Sequence, residues 1–75
     1  MKKSDFLNLV EEFLQSSGLS PTTFGKKAKE DPKFVFNLRD GTESREATQQ
    51  KVISFMRAYA AEHGIDFDVE GRSNA

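Results

Sequence analysis

Cysteine is missing from all 75 residues. That excludes disulfides, thiol catalysis and cysteine-held zinc. A single histidine, His63, excludes a multi-histidine metal site. No apolar run approaches the ~20 residues that a membrane-spanning helix needs. Met1-Lys2-Lys3 leads into Ser4 and Asp5 rather than an apolar segment, so it does not read as a secretory signal. The chain is expected to be soluble and cytoplasmic. It is also short. A domain of this size buries only roughly 60% of the surface its unfolded chain exposes, so a large enclosed pocket is not expected. No cofactor is expected. One histidine, no cysteine and no convergent carboxylate pair leave no nucleophile–base constellation to nominate, so an enzyme is not expected either.

Only two prolines occur, and both follow a capping residue. Ser20-Pro21 and Asp31-Pro32 each read as an N-cap followed by the first helical position. Serine and aspartate oxygens accept from the orphan N–H groups there. Proline lacks an N–H that would have had no partner. Two short helices are therefore expected, at 21–29 and 32–40, with Gly41 ending the second in a left-handed conformation. Phe24 and Ala28 fall on one side of the first, and Val35 and Leu38 on one side of the second. Gly25 leaves room for the two to cross closely.

Longer helices flank this pair. Phe6, Leu9, Val10, Phe13 and Leu14 recur at helical spacing within 4–17, with Ser4 as the cap and Gly18 as the stop. Val52, Phe55, Met56 and Tyr59 do the same within about 45–63, extended by Thr48 and Ala60. Ser44 is the expected cap, Gly64 the stop, and His63 sits at the negative end of the helix dipole. The fold class is thus all-α, a compact four-helix domain over residues 1–64. Residues 65–75 form an acidic tail. Its Ile65-Asp66-Phe67-Asp68-Val69-Glu70-Gly71 run alternates apolar and acidic residues, a strand period with no partner strand. Docking on the helices or disorder is expected, ahead of strand pairing with a second copy.

The net charge of -1 does not favour a nucleic-acid partner. Its distribution is uneven. Residues 20–45 carry Lys26, Lys27, Lys29, Lys33, Arg39 and Arg45 against Glu30, Asp31, Asp40 and Glu43. From residue 60 onward, Glu62, Asp66, Asp68 and Glu70 face only Arg72.

Residues 6–60 resemble the lambda-repressor-like, Xre/Cro-type helix-turn-helix domain. Leu19-Ser20 matches that family's Leu-Ser opening. Phe24-Gly25 stands where Leu-Ala is usual, with Ala28 at the next buried position. Val35-Phe36-Asn37-Leu38-Arg39-Asp40-Gly41 stands where the family closes its third helix with Ile-Ser-Arg-Ile-Glu-Asn-Gly. The inter-helix turn departs from the pattern. It carries Lys29 and Glu30 where the family usually has a glycine and an apolar residue, and Asp31-Pro32 is a less usual opening for the third helix.

The resemblance implies a bacterial or phage transcription regulator that binds double-stranded DNA through its third helix. Small domains of this type are common in phages, prophages and toxin–antitoxin operons. With Val35 and Leu38 turned inward, Lys33 and Asn37 lie on the opposite side, four residues apart. Lys33 can donate to guanine O6 and N7, and Asn37 can pair with adenine N6 and N7. Pro32 can touch a thymine methyl. Ser20, Thr22 and Thr23, at a helix start, suit a phosphate. Thr42, Ser44 and Arg45 begin the next element, where resembling domains also hold the backbone, and Lys26 and Lys27 add charge. A single module releases few counterions, so two copies on two half-sites, a homodimer, are expected for specific binding. The helix-four end and the Ile65–Val69 tail are the candidate dimer surfaces.

Phe34 can reach the core. Phe36 is expected to pack under the start of the fourth helix. The competing reading is a small helical protein-interaction module, an adaptor or antitoxin-like partner, without direct DNA readout.

Overall fold

Four helices follow one another without an intervening strand among residues 1–67, the part of the chain that the computed structural model describes. Helix α1 is Lys3–Ser17, α2 Pro21–Lys29, α3 Phe34–Arg39 and α4 Glu46–His63. The fold is all-α, as the periodicities require. Asp68, Val69, Glu70, Gly71 and Arg72 of the alternating acidic tail lie outside the described residues.

Every apolar residue assigned to the α1 stripe is buried: Phe6, Leu9, Val10, Phe13 and Leu14. The helix starts one residue before Ser4. The Phe6 N–H reaches back to the Lys2 carbonyl, and Lys2 stands at the N-cap without a side-chain hydrogen bond. Ser4 therefore sits inside the first turn. At α4 the start shifts the other way, with Arg45 as the N-cap and Ser44 just before it. Here the Ser44 carbonyl is drawn inward by Gln49 Nε2 at 3.3 Å. Gln49 also donates to the Met1 carbonyl at 3.1 Å, so this buried amide ties the chain's start to the loop before α4.

The inward side of α4 is rotated from the expected stripe. Gln49, Val52, Ile53, Met56 and Ala60 are buried, whereas Phe55 and Tyr59 are half-buried. Phe55 and Tyr59 instead join a ring cluster. Phe13 lies at its centre, with ring centroids 5.7 Å from Phe24, 6.4 Å from Phe55, 6.0 Å from Tyr59 and 5.1 Å from Phe67. The chain reaches this cluster by turning back at Gly64 (φ 66°), where the Ile65 N–H bonds to the Ala60 carbonyl. The first part of the tail, Ile65 to Phe67, therefore docks on the helices. His63 stacks on Tyr59 with centroids 4.1 Å apart.

Helices α2 and α3 meet at Gly25. A methyl group there would run into the Asp31 carbonyl oxygen and lie 3.3 Å from Phe34 Cβ. The Gly25 carbonyl also accepts from the Asp31 N–H at 3.1 Å, so the missing side chain lets two backbone segments bond directly. Between the helices, Glu30 takes a left-handed conformation (φ 57°), with its N–H on the Lys26 carbonyl. It is the position at which a glycine would be unstrained.

Candidate nucleic-acid interface

Ser20 caps α2 as expected. Its hydroxyl oxygen accepts from the Thr23 N–H at 3.2 Å and the hydroxyl donates to Thr23 Oγ1 at 2.9 Å. The same cap-plus-proline signature behaves differently at Asp31-Pro32. Asp31 Oδ1 accepts from the Lys33 N–H at 3.0 Å and the Asp31 carbonyl from the Phe34 N–H at 3.1 Å. With Lys33 at φ -98°, ψ 2°, these four residues form a type I turn with proline in its second position. The third helix therefore begins at Phe34 rather than at Pro32, and spans six residues. Pro32 and Lys33 are turn residues.

The relation between Lys33 and Asn37 survives this correction. The Asn37 N–H donates to the Lys33 carbonyl at 2.9 Å, which stacks the two residues one turn apart. Both are exposed. Neither side chain is engaged by a hydrogen bond or an ion pair among the described residues. Beneath them Phe34, Val35 and Leu38 are buried, with the Phe34 ring edge-on to Phe6 at 6.4 Å. At the far end, Gly41 (φ 99°) donates to the Leu38 carbonyl and Thr42 to the Asn37 carbonyl. That double closure is a Schellman motif, which fixes where α3 stops.

Phe36 does not pack under α4. It stands 47% exposed, with the Arg39 guanidinium carbon 5.8 Å from its ring centroid. The reason is its place on α3. The inward arc is already filled by Phe34, Val35 and Leu38, and a six-residue helix has no second buried side to offer.

Arg39 is spoken for. It forms a forked pair with Glu11 of α1, Nε to Oε2 at 2.6 Å and Nη2 to Oε1 at 2.8 Å. The hydrogen bond from Arg39, aided by its charge, holds the Glu11 carboxyl below the usual carboxylate range, and Glu11 raises Arg39 in turn. One of the six cations of the basic stretch is thereby removed from the set free to meet an anion.

The remaining candidates fall into two groups. Asn37, Thr42, Ser44 and Arg45 line one open groove of about 360 Å³, together with Lys29, Asp31, Glu43 and Thr48, over an apolar floor of Phe34 and Leu38. Ser20, Thr22, Thr23, Lys26 and Lys27 do not line it. Thr22, Lys26 and Lys27 are exposed on α2 and Thr23 is half-buried. Lys3 approaches the same region from α1, with Nζ 3.2 Å from the Gly41 carbonyl. Among the described residues, no group of three or more His, Cys, Asp or Glu is placed to hold a metal ion, and no helix is long and apolar enough to cross a membrane.

Sequence reasoning missed Lys29 as a groove residue, the left-handed Glu30 and the Glu11–Arg39 fork. Only the turn had a local signal, and it pointed one residue early: the resembling pattern places its glycine at Lys29, whereas the left-handed residue is Glu30. This chain matches no family model, and neither a curated protein nor a solved structure is significantly similar to it.

Proposed function

We propose that this chain is a sequence-specific DNA-binding regulator that reads base edges with Lys33, in the turn that opens α3, and Asn37, one helical turn further on. The observation that carries the reading is the mounting of these two side chains. They are exposed on one side of a short rod whose other side is buried. An α-helix with its side chains is about 10–12 Å across, which fits a major groove about 12 Å wide. Lys26, Lys27, Lys29 and Arg45 lie on flanking elements, where phosphate contacts position a protein without reading sequence. The likeness of residues 19–41 to the Xre/Cro-type pattern supports the same assignment, and would place the protein in a bacterial or phage-infected cytoplasm.

The domain measures 29 Å along its longest axis. Half-sites one helical turn apart are separated by about 34–36 Å, so two copies are needed to occupy both. Of the two candidate meeting surfaces, the tail has Ile65 and Phe67 packed on their own core and Val69 outside the described residues, and the end of α4 is the other.

The test is a mobility shift on a duplex selected from random sequence. Lys33→Ala and Asn37→Ala should each lose about 1–3 kcal/mol of discrimination at one base pair. Their unfolding free energies should stay within about 0.5 kcal/mol of the parent, as for exposed positions generally. Unchanged sequence preference in both variants would remove the proposal. A second reading, a protein-interaction module, is favoured by the exposed Phe36 ring and the net charge of -1. A salt series separates the two, because phosphate contacts weaken steeply with salt and apolar docking does not.

A further inference from the structure

Resting on the DNA reading above, we propose that Phe36 is a specificity residue of the same face, seating its ring against the 5-methyl group of a thymine in the site that Asn37 also reads. Phe36 and Met1 are the large apolar side chains left exposed among the described residues. Met1 is at the chain's start, but Phe36 sits in the middle of α3. At roughly 100° per residue, Phe34, Leu38 and Val35 fill one arc of that helix. Phe36 projects about 150° from the centre of this arc, and Asn37 about 110° from it on the other side. Phe36 is therefore at least as far forward as the residue proposed to read adenine.

What a phenyl ring can meet there is limited by chemistry. It has no donor or acceptor for a phosphate or a base edge. The one apolar group on the major-groove edge of a base pair is the thymine methyl. On the helix the Phe36 and Asn37 side chains diverge by about 100°, so the two meet different base pairs of one site. The ring is also held in place. Arg39 lies against it, and Arg39 is itself clamped by both Glu11 oxygens. That leaves the side of the ring away from Arg39 to meet DNA.

The experiment uses the whole chain and a duplex selected from random sequence. Each thymine of the selected site is replaced in turn by uracil, which removes only the methyl. At one thymine of the site, other than the base pair that Asn37 contacts, the wild-type protein should lose about fourfold in affinity, the worth of one buried methyl. Phe36→Ala should bind the thymine and uracil versions equally, with an unchanged melting temperature. Asn37→Ala should keep the thymine preference while losing its own. Insensitivity of the wild type at every thymine would overturn the inference and leave the DNA reading standing. So would a Phe36→Ala variant that still prefers thymine, which would assign the methyl to Pro32 or Phe36 to a protein partner. Failure of the wild type to select any duplex would overturn both.

Discussion

Around Phe13 the domain is held by ring on ring, whereas α3, anchored by its own buried side chains, is positioned by backbone contacts. Phe13 meets Phe24, Phe55, Tyr59 and Phe67, residues drawn from α2, α4 and the chain beyond it. Helix α3 has Phe34, Val35 and Leu38 as its own apolar anchors, and its position depends on what surrounds them. The Gly25–Asp31 contact sets how close it lies to α2, the Asp31–Phe34 turn sets where it starts, and Gly41 sets where it stops. The difference is instructive. Burial gives much free energy but is non-directional. Backbone contacts give less, yet they fix direction, which is what the proposed DNA reading asks of α3.

The largest blow to the aromatic side is Phe13→Ala. It should cost about 3–5 kcal/mol. Small proteins have only about 5–15 kcal/mol in hand, so a denaturant titration followed by circular dichroism should show a much lower midpoint. A loss under about 1 kcal/mol, below the usual range for a buried phenylalanine, would mean the cluster is not what holds α1 to α4. On the backbone side, Gly25→Ala adds one methyl against the Asp31 carbonyl. Overpacking of this kind costs about 1–3 kcal/mol, offset by up to about 1 kcal/mol of helix propensity. The expected signature is a moderate net loss of stability with amide exchange quickened in α3 above all, because α3 must move away. Uniform quickening would instead show that the two regions unfold as one.

The smallest effect concerns the Glu11–Arg39 fork. The Glu11 pKa is lowered in the folded state. Its stabilising contribution is therefore complete above the unfolded carboxylate value of about 4.3 and is lost as pH falls through the lower folded value. Both side chains are partly exposed, 34% and 42%, so the pair is worth no more than about 1 kcal/mol. Glu11→Gln should flatten a little of the acid loss of stability below about pH 4.3 and change nothing at neutral pH beyond that amount. An identical acid profile in parent and variant would show that the fork adds nothing to holding α3 against α1.

Much of this architecture is legible in the order of residues alone. The α1 stripe, the Phe24–Ala28 and Val35–Leu38 pairs, the Ser20 cap and the glycine stops at 18, 41 and 64 are local, and helical spacing or a single residue's chemistry announces them. Asp31-Pro32 misleads because cap-then-proline serves a type I turn as well as a helix start. Which of the two forms depends on the Gly25 crossing, six residues away. Phe36 misleads because residue type favours burial, while its side of a six-residue helix offers none. Glu11 and Arg39 are 28 residues apart, and Gln49 and Met1 are 48 apart. Nothing in one sequence ties such pairs together.

Six residues make less than two turns, too few for a helix to persist in water on its own. The outward side of α3 thus exists only while the rest of the domain is assembled beneath it. On the proposed reading, recognition and assembly then draw on a single equilibrium. Whatever grips Lys33 and Asn37 must also raise the melting point, by an amount set by its concentration relative to its dissociation constant.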